Sequence, residues 1–317
     1  MYLLKEFEFE ASEIAKIVSG KLIGEDIVVN SIKSLGEQET GSITVCYPKF
    51  KDKLVSITEK CLVFCTADTV VENSKLSFIV CENPKFSFFD FVNNYVVTET
   101  NYSNFEIVSK VSDNFPAVEF GYNVKINKNV VIAPKTKIGS NVIIGNNVVI
   151  RSNVTIGNNV IIKDNTIIGS EGFGFVKSEN EVIHIPQLGE IRIDDNVIIG
   201  SCCTIEKPAL GSTIIEHSVK IDDLVQIGHN QVIGEGTMIT TGFKAIGGAK
   251  IGKNCFIGMG VTVVNKKANI GDNCFIGAGT ILTKSVENNS TVYNKIETIF
   301  TPNTHLDEML TTPKKIK

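Results

Sequence analysis

No stretch of the 317-residue sequence stays apolar for the roughly 20 residues that a membrane-spanning helix requires, so no membrane span is expected. The opening residues, Met1 to Glu6, lack the apolar core and small-residue cleavage site of a secretory signal, which predicts a cytoplasmic protein. Basic residues are not in excess: the formal net charge is −4 and the pI about 5.7. Without a global positive field, no nucleic-acid partner is expected. Histidine is scarce, with only His184, His217, His229 and His305. The eight cysteines show no C-x-x-C pairing, which argues against a zinc ribbon, and disulfide scaffolds belong to shorter secreted chains. Cys255 and Cys274 each precede a repeating aliphatic position by two residues, as small buried hydrophobes do. No metal site is expected.

The chain divides into dissimilar parts. Residues 1–105 read as a small α/β domain. Ile14, Ile17 and Val18 have helical spacing between Ser12 and Gly20, and β-rich runs follow at 26–32, 42–46, 61–65 and 77–81. After Asn83 and Pro84, residues 86–97 predict a second helix with an aromatic face.

From Gly121 an aliphatic residue returns every six positions, at Ile126, Ile132, Ile138, Ile144, Ile150, Ile156, Ile162 and Ile168. The count resumes at Ile193, Ile199 and Ile205, shifts by four to Ile215, and runs on to Val263. One extra residue then gives Ile270, Ile276 and Leu282. A period of six is neither 3.6 nor 2, so neither an amphipathic helix nor a flat strand explains it. It predicts a mostly β fold, a parallel β-helix over residues 106–290. Each hexapeptide is a short strand plus a turn, three make a triangular coil, and Gly and Asn take the tight turns. A short tail or helix is expected at 291–317, around Asn303 to Leu310.

The repeat is interrupted twice. Gly169 to Glu190 is a long insertion carrying Gly172, Phe173, Gly174 and Phe175, then Ile185, Pro186 and Gln187. Loops of this length in compact domains are commonly functional. Lys207 to Ser212 is a shorter one.

His229 stands in coils otherwise built of Val, Ile, Gly and Asn. It follows Ile227 by two residues, so it projects outward at a turn, where an imidazole can act as general base. Asp222 and Asp223, in the preceding hexapeptide, are candidates to hold its other ring nitrogen. A coil is three hexapeptides, which places Gly247 directly above His229, followed by Gly248. A backbone N–H there suits a thioester oxyanion.

The hexapeptide domain, the 172–175 and 185–187 loop, residues 201–205 and residues 222–230 together resemble the UDP-3-O-acylglucosamine N-acyltransferases of lipid A synthesis. The N-terminal region is similar too, around 41–45, 48–50 and 83–84. The resemblance implies a left-handed β-helix and a homotrimer with sites between subunits. It assigns His229 to deprotonating the sugar amine and the Gly247 N–H to the oxyanion. It further implies substrate contacts from Gly172, Phe173, Gly174, Phe175, Gln187, Tyr47 and Phe50, with the first domain contacting the nucleotide. Acyl-CoA or an acyl carrier protein is the implied co-substrate, with no bound cofactor. Lys250, Lys253, Lys266 and Lys267, beside Gly248, would meet a donor phosphate.

The sequence also departs from that family. It reads Glu206, Lys207, Pro208 where Asp-Arg-Gly is typical; Tyr47 and Phe50 replace an Asn and a Tyr; Lys267 replaces a second histidine. These departures favour N-acylation of a different nucleotide-linked amino sugar of a surface glycan over the lipid A intermediate. Two other classes compete: a zinc hydratase of the γ-carbonic-anhydrase type, which needs three histidines, and a non-catalytic trimeric scaffold.

Overall fold

The computed structural model describes residues 2–4, 6–99, 106–107, 115, 117–177, 179, 181–265 and 268–295. The chain forms two compact units, Met1–Ser103 and Asn104–Lys317. Among the described residues no helix is long and apolar enough to cross a membrane.

The first unit holds a five-stranded mixed sheet. In spatial order its strands are Lys21–Ile23, Leu76–Val80, Cys61–Cys65, Ser42–Val45 and Ser31–Ile32. Cys61–Cys65 is the central strand and every residue of it is buried, as a strand covered on both faces must be. Burial pushes the Cys61 and Cys65 thiols up to about 11 and about 12, so both are inert hydrophobes. The helix Ala11–Ile17 buries Ala11, Ile14 and Ala15, and its N-cap is Glu10, where a capping box with Glu13 displaces the expected start at Ser12. The second helix, Pro84–Phe91, is capped by the Asn83 side chain and packs Phe88 edge-on against Phe64. It ends in a π-helical turn, Val92–Val96, rather than continuing regularly to residue 97.

The second unit is the left-handed β-helix of hexapeptide repeats. Its strands fall in three parallel faces of ten, seven and eight among the described residues, the first closed by an antiparallel Glu106–Ile107. Residues 18 apart pair directly: Ile126 on Ile144, Ile132 on Ile150, Ile138 on Ile156. Each repeat aliphatic therefore stacks on its counterpart one coil away, and the stacks form one continuous buried core. Fully burying each such side chain contributes about 1.5–3 kcal/mol. The face carrying Phe275–Ile276 continues into Thr291–Val292, just past the expected end of the domain. The expected tail helix, 303–310, lies outside the described residues.

Asparagine explains the corners. Asn123, Asn141 and Asn159 have φ between 54° and 58°, a left-handed conformation that a short polar side chain tolerates. Their amides form a ladder, Asn123 donating to Asn141 at 2.9 Å and Asn141 to Asn159 at 3.1 Å. Asn129, Asn147 and Asn165 repeat it at 3.1 Å per step.

Interruptions of the period share one place. The insertion after Ile168, the insertion after Ile205 and the extra residue after Val263 each lie between a strand of the eight-stranded face and the next turn of the seven-stranded face or its continuation at Ile270. One edge of the prism therefore accommodates every inserted residue noted in the sequence, while the other two edges keep the strict count. His229, between Gln226–Ile227 and Val232–Ile233, sits on that same edge.

Candidate active site

The stacking count holds. Ile227 pairs with Ala245, which sets Gly247 over His229. A Cβ on Gly247 would lie 2.3 Å from His229 Nε2, and one on Gly172 would lie 2.8 Å from His229 Cδ2. The ring is thus held between two glycines. Gly172 comes from the long insertion, whose main chain reaches this corner through a Gly172 N–H bond to the Lys207 carbonyl at 3.2 Å. The Gly247 and Gly172 contacts require the absence of a side chain at ordinary φ; the left-handed glycine here is Gly248, at φ 83°. The Gly248 N–H donates to the His229 carbonyl at 2.7 Å, while the Gly247 N–H has no backbone partner among the described residues.

The second ring nitrogen is held by Asn230, not by Asp222 or Asp223. Asn230 Oδ1 lies 3.0 Å from His229 Nδ1, and Asn230 Nδ2 donates to the Leu210 carbonyl at 2.9 Å. A carbonyl only accepts, so the Leu210 contact fixes which amide atom faces the histidine. Nδ1 is then the donor in this contact, and in the neutral ring that tautomer leaves the lone pair on Nε2, as a base requires. Asp222 and Asp223 follow Lys220–Ile221 and so occupy a different edge of the coil. Asp223 Oδ1 accepts from the Ser201 N–H at 2.7 Å and lies 3.8 Å from Lys163 Nζ. Adjacency along the chain misled here, because one hexapeptide carries the chain a third of the way around the coil.

Glu206 is the second residue that sequence reading did not assign to the site. Its carboxylate accepts from the His229 N–H at 3.2 Å and from Gln226 Nε2 at 2.8 Å. Below Gly247, the buried Gln231 donates through Nε2 to the Ala245 and Ile246 carbonyls at 2.9 and 3.0 Å, bracing the strand that presents the glycine.

The remaining candidates scatter. Phe173 is 87% exposed, with its ring 4.9 Å from that of Phe175, on a loop that forms a hairpin of Phe175–Lys177 and Val182–His184. Gln187 is buried and turned into that loop, donating to the Ile185 carbonyl at 2.7 Å and closing against Gly174. Tyr47 and Phe50 belong to the first unit, at the cap and within the 3-10 helix Pro48–Ser56, where Lys49 and Lys53 lie over the Phe50 ring at 4.8 and 5.3 Å. Lys250 starts the strand following Gly248, so it adjoins the corner. Lys253 occupies the next edge and pairs with Glu235 at 3.3 Å, so it does not join Lys250. Lys266 and Lys267 lie outside the described residues. His184 pairs with Glu171 at 3.3 Å and His217 approaches Asn196 at 3.5 Å. Among the described residues no three His, Cys, Asp or Glu side chains gather as metal ligands.

Comparison with known proteins decides the family. A bacterial transferase hexapeptide model matches residues 118–152 and 135–170, and a succinyl-transferase hexapeptide model matches 225–265, 248–284 and 267–294. The UDP-3-O-acylglucosamine N-acyltransferase of Campylobacter lari is 38% identical over 260 residues, 78% of this chain and 80% of that one. The chain belongs to the UDP-3-O-acylglucosamine N-acyltransferase family. The member from Delftia acidovorans is 41% identical over 95 residues, 30% of this chain; the match spans 28% of that relative's length. Among solved structures, the UDP-N-acetylglucosamine acyltransferase of Campylobacter jejuni matches with a TM-score of 0.42 at 18% identity, over 54% of this chain and 67% of that one. These relatives are sugar-nucleotide acyltransferases by name.

Proposed function

We propose that the chain transfers an acyl group from a thioester to the amine of a UDP-3-O-acylglucosamine-type acceptor. The observation that carries this reading is the His229 ring, its Nε2 lying against the main chain of Gly247. The acceptor amine attacks the thioester carbonyl while His229 Nε2 takes its proton. The carbonyl oxygen, now an anion, receives the Gly247 N–H. Collapse of the tetrahedral intermediate re-forms the carbonyl and expels the thiolate, which recovers the proton from the imidazolium. Asn230 holds Nδ1 and Glu206 holds the His229 main chain, so neither moves as the charge develops.

The departures at Glu206 to Pro208, Tyr47 and Phe50 pointed to another amino sugar. The relative aligned over most of the chain favours the lipid A intermediate instead, and the proposal follows it. The donor is an acyl carrier protein or acyl-CoA, and the working unit is a homotrimer. Purified protein assayed with both donors, against UDP-3-O-acylglucosamine and other nucleotide-linked amino sugars, tests the assignment. Turnover confined to UDP-3-O-acylglucosamine and abolished by His229→Ala is expected. Turnover only on another amino sugar reinstates the alternative acceptor; undiminished turnover by His229→Ala removes the base.

A further inference from the structure

The edge that carries His229 also carries a cavity of about 580 Å3, lined by Ala133, Arg151, Ser152, Ile167, Gly169, Ser170, Glu171 and Lys207. That volume falls within the roughly 300–1,000 Å3 of small-molecule sites. Three of its groups have unmet bonding capacity. Lys207 is only 8% exposed, yet its ammonium has no partner among the described residues. Ser170 Oγ is buried without a hydrogen bond. Arg151, exposed at the cavity rim, has a guanidinium with no acidic partner among the described residues. The one acid in the lining, Glu171, is engaged by His184 at 3.3 Å. A buried lysine without a counter-ion is costly unless a ligand supplies the negative charge.

Register places the cavity relative to the base. Thr204 pairs with Gln226 and Ile205 with Ile227, which sets Lys207 one coil below His229, about 5 Å at the sheet spacing. Ile150 pairs with Ile168, so Arg151 lies a further two coils down the same edge. An ammonium, a guanidinium and a hydroxyl facing one space suit a phosphate oxyanion, for which arginine supplies a bidentate fork. In a 2-amino sugar nucleotide the amine and the diphosphate sit on adjacent ring carbons.

We propose that this cavity is an anion subsite in which Lys207, Arg151 and Ser170 hold the diphosphate of the acceptor while its amine reaches His229. Its assignment to the acceptor rests on the acyl-transfer reading above; its affinity for a diphosphate does not. The two parts separate experimentally. Calorimetric titration of the full chain with inorganic pyrophosphate at low ionic strength reads the subsite without turnover. Saturable binding is expected, weakened at least tenfold by Lys207→Met and by Arg151→Gln, and weakened by added salt. Arg151→Gln alters an exposed side chain, so it remains informative where Lys207→Met fails to fold. Absence of binding to the wild type, or binding unchanged in Arg151→Gln, overturns the subsite. In the acyl-transfer assay, pyrophosphate competitive with the sugar nucleotide and not with the thioester is expected. Competition with the thioester alone assigns the phosphate to the donor and overturns the acceptor placement. Failure of acyl transfer altogether refutes the catalytic reading and leaves the titration result standing.

Discussion

Gly247→Ala is the most direct probe of the corner, because it changes one methyl group at a residue with ordinary φ. The new Cβ would start 2.3 Å from His229 Nε2. Non-bonded heavy atoms settle near 3.5 Å, so the two must separate by about 1.2 Å. The main chain is the stiffer partner, since the Gly248 N–H bond to the His229 carbonyl at 2.7 Å ties the two coils together. The imidazole therefore swings away. A displacement of about 1 Å costs on the order of 100-fold in rate, and a blocked oxyanion donor about 100- to 1,000-fold. Following thiol release from the acyl donor, kcat should fall by roughly 100-fold or more, with thermal stability little altered because rotation of a half-exposed ring relieves the contact. Gly260→Ala supplies the control. Gly260 has φ 69° and open space around it, so alanine there strains the backbone by about 1–2 kcal/mol and touches nothing. It should lower the melting temperature and leave kcat alone. A Gly247→Ala enzyme with kcat within twofold of wild type would refute the idea that the reacting centre lies between these residues.

Two further substitutions separate holding the base from being the base. Glu206→Ala removes an acceptor from the His229 N–H and from Gln226, a loss of about 1.5–3 kcal/mol for bonds to a charged group; kcat should drop about tenfold or more, with Glu206→Gln recovering part of it. Asn230→Asp keeps an oxygen on Nδ1 but adds negative charge beside the imidazole, which favours its protonated form. The acidic limb of the pH–rate profile should then move to higher pH, and an unmoved limb would mean that His229 does not titrate in the rate-limiting step. The same variant loses the amide bond to the Leu210 carbonyl, so a lower melting temperature should accompany the shift.

The solenoid was legible residue by residue because its physics is periodic. An aliphatic every six positions fills one interior site per strand, and the 18-residue rise that follows from three strands per coil put Gly247 over His229 without any coordinates. The same arithmetic fails where the period breaks. Gly172 lies 57 positions before His229 with two insertions between them, so no count links the two, and its contact with the ring emerged only from the folded chain. Glu206 and Lys207 were visible only as unusual residues, since what surrounds them depends on how the insertion after Ile205 is absorbed. Asp222 and Asp223 illustrate the opposite error, nearness in sequence taken for nearness in space on a chain that turns a corner every six residues. In the first unit, Glu10 and not Ser12 caps the helix, because a reciprocal bond with Glu13 outweighs the intrinsic preference for serine.

The confinement of extra residues to one edge has an evolutionary reading. Lengthening a strand would throw its aliphatic out of the stack, whereas the 19 residues added at this edge (37 between partners instead of 18) leave Ile156 paired with Ile193 and Ile168 with Ile205. The molecule thus works as a fixed spine with one open margin. Segments bearing new recognition chemistry can be exchanged at that margin, beside the histidine, without renegotiating the core.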